Sequence, residues 1–355
     1  MAEIGVGVVG FGLAGRVFHA PFVNAVPGLK LEAFVERRTD EAHRAYPGTR
    51  TYRTVEELLG DSNIHLVIVA TPNETHFELA KQALEAGKHV VIDKPFADSS
   101  AHAEELIALA KAQGLVLAPF HNRRWDGDFQ TVKKVLAEGQ LGRLVTFESH
   151  FDRFKPLPRE HTWKESAHPA NGMLMDLGPH LVDQVLSLFG MPKLVTASVR
   201  TDREGSSIED AFDIILTYDN LLAYCRASML AAEASPRFLL HGTAGSFRKY
   251  GLDPQEPAIV AGAHVPRMGD PREWLCEDEA LWGELVVAPV LTAPGTLVRT
   301  KVQTECGDYR GFYANVRDAI EGTAELEVPA EAGLDVAKVL EAARVSSAEL
   351  RSVKI

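Results

Sequence analysis

Cysteine is scarce in this chain of 355 residues: only Cys225, Cys276 and Cys306 occur, with no CxxC spacing. So sparse and odd a set is a poor basis for a disulfide framework or a zinc site, and a reducing compartment is the expectation. Long apolar runs are missing too, none approaching the roughly 20 residues of a membrane span. The first short one, residues 4–9, follows only Met-Ala-Glu and leads into glycines rather than a cleavage site, so a cytoplasmic protein is expected. Basic residues are outnumbered, 37 Lys+Arg against 49 Asp+Glu, and the net charge of −12 repels nucleic acid and anionic membrane, so neither is expected as a partner. An anionic ligand must then be caught by a local site. Internal repeats and low-complexity tracts are also lacking.

What is present is the composition of a soluble globular protein, 46% hydrophobic and 24% charged. Single cores stop growing at about 250 to 300 residues, so two domains are expected, residues 1–120 and 121–355. In the first, strand-like runs at 4–9, 31–35, 64–70, 89–92 and 115–118 alternate with helical patterns at 78–87 and 101–112. Strands apolar on both faces, separated by helices, predict a parallel sheet covered on both sides. From about residue 143 the texture changes to strand segments at 144–151, 194–200, 212–218, 222–229 and 238–241, some with period-two alternation. Helical patterns return at 181–188, 309–320 and 331–348, while 253–294, rich in Pro and Gly, is left unassigned. The expected fold is α/β: an N-terminal Rossmann, doubly wound parallel sheet, then a C-terminal α+β domain on a large, mostly antiparallel open sheet, its last helix available to pack back on the first domain.

The Rossmann reading rests on the turn Gly10-Phe11-Gly12-Leu13-Ala14-Gly15, which follows a buried strand pattern and opens a helix. A bare GxGxxG string is common, and a glycine turn can serve packing alone. In this context Gly10 makes the tight turn, Gly12 lets backbone approach a pyrophosphate, and Gly15 lets helix and sheet close up. The helix start adds free N–H groups and a positive dipole end. At the end of the second strand Glu36, 21 residues after Gly15, stands where an acidic residue meets ribose hydroxyls and favours NAD. Arg37 and Arg38 suit a 2′-phosphate and favour NADP, unless they are merely solvated loop charges. NAD and NADP both remain open. Thr71, Asn73 and His76, at the carboxyl end of the fourth strand, are further candidate cofactor contacts.

Two groups of residues carry chemistry. Asp93-Lys94-Pro95 ends the fifth strand, which puts Lys94 on the same carboxyl edge. A lone lysine is usually a surface charge. A positioned ammonium there donates a hydrogen bond to an alcohol or carbonyl oxygen on which charge develops. In the segment from Asn171 to Asp183, Pro179 suits a first helical turn, with His180 beside it and Asp176 just before. The dipole disfavours imidazolium and Asp176 favours it, so the pair poises a neutral base. A capping Asp and a packed histidine are the bland alternatives, and Asp176, His180 and Asp183 as metal ligands a minor one; no metal is expected.

Together the strings GFGLAG at 10–15, ATPNETH at 70–76, DKP at 93–95 and Asp-x-Gly-x-His at 176–180 resemble the glucose-fructose oxidoreductase, inositol dehydrogenase and MocA family over almost the whole length. The strings at 16–22, 122–129, 176–184 and 251–256 resemble the branch containing NADP-dependent scyllo-inositol dehydrogenases. The resemblance implies an oxidoreductase moving a hydride between nicotinamide and a secondary alcohol or ketone of a cyclic polyol or sugar, working as a homo-oligomer. It implies that Lys94 hydrogen-bonds the reacting oxygen, that His180 is the general base and that Asp176 orients base and substrate. His121, Asn122, Arg124 and Arg153 would border the substrate, and Trp163 the nicotinamide ribose, with Asp93 and Pro95 completing the cofactor edge. Two departures stand out: Glu36 replaces a small hydroxyl residue, and Lys164 an arginine. An NAD-dependent glycosidase using transient sugar oxidation and a non-catalytic dinucleotide-binding regulator are the competing classes.

Overall fold

The computed structural model describes residues 3–159, 162, 165, 167–168, 170–270, 274–288 and 296–355. The N-terminal stretch alternates β1 (Ile4–Val9), α1 (Ala20–Ala25), β2 (Leu29–Val35), α2 (Glu41–Ala45), β3 (Arg50–Tyr52), α3 (Val55–Leu59), β4 (Leu66–Val69), α4 (His76–Glu85), β5 (His89–Ile92), α5 (Ser100–Gln113) and β6 (Leu117–Pro119). Then come α6 (Gly127–Ala137), β7 (Leu144–His150), α7 (Met173–Phe189), β8 (Leu194–Arg200), β9 (Ala211–Thr217), β10 (Leu222–Ser228), β11 (Phe238–Gly242) and β12 (Gly245–Lys249). The chain ends with α8 (Gln255–Val260), β13 (Gly283–Val287), β14 (Val298–Val302), α9 (Arg310–Ile320), α10 (Ala330–Glu349) and β15 (Val353–Lys354).

These elements form two compact units. One combines Met1–Trp125 with Gln255–Trp274 and Asp308–Ala337; the other combines Asp126–Pro254, Leu275–Gly307 and Lys338–Ile355. The partition differs from a single cut at residue 120, because the chain returns twice to the first unit.

The first unit holds a six-stranded sheet in the order β3-β2-β1-β4-β5-β6, parallel throughout. This is the Rossmann order, reversing direction between β1 and β4. β1 and β4 are buried at every residue, as a sheet covered on both faces requires. Val67, Val69, Val90 and Ile92 pack with Ala80, Leu84 and Leu106 of the helices in one apolar cluster, which Ala330 at the start of α10 also joins.

The second unit holds a nine-stranded sheet in the order β14-β13-β12-β11-β7-β10-β9-β8-β15. Every neighbouring pair is antiparallel except β7 and β10. α7 packs on β9 and β10. The end of α10 covers β8, whose Ala197 and Val199 amides donate to the Ser346 and Ser347 hydroxyls. Serine thus satisfies the backbone donors of β8 that the two-residue edge strand β15, paired only at Leu194 and Val195, leaves open.

Two expectations need correction. α7 begins at Met173, not near Pro179, so Pro179 lies inside the helix. Cys276 and Cys306 are bonded in a disulfide across a separation of 30 residues, while Cys225 is buried and free. A sparse, odd cysteine count is thus compatible with a disulfide, and the cysteines do not point to a reducing compartment. Among the described residues no helix is long and apolar enough to cross a membrane.

Candidate active site

The glycine turn closes β1 at the centre of the parallel sheet. Gly10 has φ +100°, and a Cβ there would stand 2.7 Å from the Ala70 carbonyl oxygen. A Cβ on Gly15 would come within 2.3 Å of the Gly10 oxygen, so helix and turn meet backbone to backbone. Gly12 differs: a Cβ there meets nothing within 4 Å. Its bare backbone opens onto free space at the helix start, which fits the close approach of a pyrophosphate. Phe11 packs edge-on against Phe34, while Leu13 is exposed. The helix that opens at Ala14 is wound in wider, π-type turns through His19 before α1.

Glu36 occupies the expected strand end, but its carboxylate is turned onto α2. One oxygen accepts from the Thr39 hydroxyl at 2.6 Å and the Glu41 amide at 3.2 Å, the other from the Ala42 amide at 2.8 Å. The side chain therefore satisfies the open N–H groups of α2, whose N-terminal Asp40 makes no side-chain cap. It is buried in that role. Arg53 braces the same loop through the Glu36 and Thr39 carbonyls and the Asp40 carboxylate. Arg37 and Arg38 remain exposed, with no ion pair among the described residues.

At the end of β4 the Thr71 hydroxyl bonds that of Thr75, and Asn73 opens a short helical turn. His76 is buried, and both ring nitrogens lie 2.9 Å from backbone carbonyls, Nδ1 from Pro95 and Nε2 from Thr71. It clamps two strand ends together instead of facing outward from the carboxyl edge. The Lys94–Pro95 peptide is cis. Asp93 Oδ1 accepts the Lys94 amide at 2.8 Å, and Oδ2 faces His19 Nε2 at 3.9 Å. Burial works to raise the Asp93 carboxyl, but the His19 contact and the charges of Lys94 and His76 outweigh it and hold the group below the usual carboxylate range.

His121 and Asn122, just beyond β6, are buried, and the Arg124 guanidinium donates to the Glu327 carbonyl at 2.7 Å. These residues belong to the first unit with Lys94, whereas Arg153, Asp176 and His180 belong to the second. There Asp176 lies in the first turn of α7, with His180 one turn on, four residues later, on the same side of the helix. The helix dipole therefore acts on Asp176, nearer the helix start, more than on His180. His180 is 6% exposed. An Arg153 amino group stands 3.6 Å from the Asp176 carboxylate. Trp163 and Lys164 lie outside the described residues. Sequence reasoning missed Tyr313 and treated His19 only as part of a family string; no spacing pattern pairs them with Asp93.

A Rossmann sheet with a bare glycine turn, joined to a second unit that carries a histidine and a carboxylate on one helix, defines a dinucleotide-dependent oxidoreductase. Comparison agrees. Residues 4–121 match the oxidoreductase family with an NAD-binding Rossmann fold, and residues 129–248 match the Gfo/Idh/MocA C-terminal domain. The oxidoreductase YdgJ of Escherichia coli is 42% identical over 96% of this chain and 95% of its own length. A Bacillus subtilis protein named scyllo-inositol 2-dehydrogenase (NADP(+)), IolW, is 36% identical over 99% of this chain and 96% of its own. The solved structure of the oxidoreductase YvaA from Bacillus subtilis superposes with a TM-score of 0.92 at 35% identity, covering 99% of both chains. The chain belongs to the Gfo/Idh/MocA family and is an NAD(P)-dependent oxidoreductase.

Proposed function

We propose that this oxidoreductase interconverts a secondary alcohol and the corresponding ketone on a cyclic polyol or sugar, scyllo-inositol first among them, with NADP preferred over NAD. The observation that carries the reading is the Asp176/His180 pair, one turn apart on α7, with Arg153 beside the carboxylate. A buried imidazole one helical turn from a carboxylate suits a general base. In this reading His180 takes the hydroxyl proton, Asp176 orients it, and Lys94 donates a hydrogen bond to the oxygen on which charge develops. The nicotinamide, when bound, supplies the hydride acceptor or donor. His121, Asn122, Arg124 and Arg153 are the candidates for contact with the substrate.

The coenzyme preference rests on Glu36. With its carboxylate spent on α2, the outward charges of the loop at positions 37 and 38 are guanidinium groups, which suit a 2′-phosphate. The relative IolW, named for NADP, supports the same choice. The fold unit that carries the antiparallel sheet also supports a homodimer or higher assembly through its open face.

The test is a panel of inositols and aldoses, assayed with NADP and with NAD by absorbance of the reduced nicotinamide. Turnover with scyllo-inositol, and kcat/KM at least about tenfold higher with NADP, is the expected result. Failure of every cyclic polyol and sugar to give reduced coenzyme, or a preference for NAD, overturns the reading.

A further inference from the structure

His19 has a setting that packing alone does not explain. It is fully buried at the end of the π-wound turn, with its ring 4.4 Å from that of Phe120 just beyond β6. Nδ1 lies 2.6 Å from the Tyr313 hydroxyl on α9, and Tyr313 is itself fully buried. Nε2 stands 3.9 Å from the Asp93 carboxylate, within ion-pair range but longer than a direct hydrogen bond. An apolar wall would be built more simply from leucine or phenylalanine, because a buried polar group costs stability unless it is paired. Here three polar side chains are lined up in order, Tyr313, His19 and Asp93, and the last accepts the backbone amide of Lys94.

The order also bears on which nitrogen carries the proton. A lone pair on Nε2 facing a carboxylate would be repelled, so the tautomer with hydrogen on Nε2 is favoured, aimed at Asp93 across 3.9 Å, and the Tyr313 hydroxyl then donates to Nδ1. Burial and the Asp93 charge hold the Tyr313 hydroxyl well above its ordinary range, so it keeps its proton. The groups facing Asp93 are His19, Lys94 and His76, with Tyr313 behind His19. On the far side of the same turn His76 grips the Pro95 carbonyl. Lys94 thus stands between two residues that each face a buried histidine, Asp93 at 3.9 Å from His19 and Pro95 hydrogen-bonded to His76.

We propose that His19, backed by Tyr313, is a positioning residue for Lys94: it holds the Asp93 carboxylate in place, and that carboxylate fixes the backbone from which the Lys94 ammonium reaches the reacting oxygen. The inference rests on the reading of Lys94 given above. His19 touches neither substrate nor coenzyme in this role; it acts through Asp93.

Three variants test it in the full-length enzyme: His19→Phe, which fills the volume without a polar atom, His19→Gln, which keeps a donor, and Tyr313→Phe. For each, kcat, the pH profile of kcat, the coenzyme Kd from nucleotide fluorescence and Tm are measured. His19→Phe lowers kcat about tenfold or more, leaves coenzyme Kd within about threefold, and moves the acid limb of kcat upward, since Asp93 loses the partner that holds it ionised. His19→Gln recovers most of kcat. In the 15N spectrum of the wild type, the His19 signals show hydrogen on Nε2 and none on Nδ1, and Tyr313→Phe disturbs them. A wild-type kcat and pH profile in His19→Phe, or a loss of kcat that merely follows the folded fraction, overturns the proposal. If His19→Phe does not fold, Tyr313→Phe carries the same test, with a smaller fall in kcat and the same upward acid limb expected; unchanged values overturn it. Lys94→Met separates the two readings. Full turnover in that variant removes the lysine itself from the reaction, whereas a dead Lys94→Met beside an unaffected His19→Phe removes only His19.

Discussion

Glu36 shows how far a residue's type can stand from its use. An acid at the end of the second strand reads as a ribose ligand, yet its two oxygens are bonded to Thr39, Glu41 and Ala42. Nothing in the spacing tells where a carboxylate points, because the competing donors are backbone amides that open only when α2 forms. Glu36→Gln is therefore expected to lower stability by about 1 kcal/mol, as losing a charged cap does, and to leave the NADP to NAD ratio of kcat/KM unchanged. Paired replacement Arg37→Ala and Arg38→Ala is expected to lower kcat/KM with NADP about tenfold or more and to spare NAD. Urea unfolding and the two coenzyme titrations check both. The placement of the proposed catalytic residues was more legible: Lys94 stands after β5, and Asp176 and His180 lie four apart on α7. Lys94→Met and His180→Ala should each lower kcat about a thousandfold with coenzyme Kd nearly unchanged, by steady-state kinetics beside fluorescence titration.

Elements were read best where pattern and length agreed. Strands 4–9, 89–92 and 194–200 fall where the apolar runs stand, and α9 and α10 within a residue or so of the patterned segments. The start of α7 is hidden in the sequence because Pro179 marks a helix start in isolation. The helix instead opens where the Met173 amide donates to the Glu209 carbonyl, a partner 36 residues away that no local pattern contains. β13 and β14 are likewise held by β12 and by each other within a segment poor in period-two signal. The Cys276–Cys306 bond closes the loop that contains this hairpin. Closure of a loop of about 30 residues removes conformations from the unfolded chain, a stabilisation of roughly 3 to 4 kcal/mol in the entropic account. Cys276 is exposed, open to small thiols. Adding reductant should accordingly lower the urea midpoint of the wild type, while Cys276→Ser should unfold at the lower midpoint with or without reductant. Equal midpoints for the wild type under both conditions would show that the bond does not contribute.

At the scale of the molecule, the two-part design was visible in the change of strand texture near residue 143, but the route of the chain was not. Returns such as Asp308–Ala337 depend on where α9 packs, and its Tyr313 meets His19 across 294 residues. The nine-stranded sheet carries its own consequence. Along β9, β10 and β11, residues such as Ile214, Cys225 and Leu240 are buried, whereas their alternates Ile215, Tyr224 and Leu239 are half-exposed. Tyr224 stands opposite Ile215 on one side and Glu148 on the other, and Glu148 opposite Leu239, so these apolar side chains share one face. Most charges on that face are matched within the sheet: Asp213 pairs with Arg200 and Arg226, Glu284 with Arg248, and Glu148 meets the His150 ring at 3.2 Å. A sheet face with apolar side chains and most of its charges paired within itself can meet a second copy of itself at little cost in unpaired ions, which suits a two-fold interface. Sedimentation at micromolar concentration should give twice the chain mass or more, and Tyr224→Arg together with Ile215→Asp should shift the species to the monomer. A wild-type protein that sediments as a monomer at that concentration would leave the open face without a partner copy.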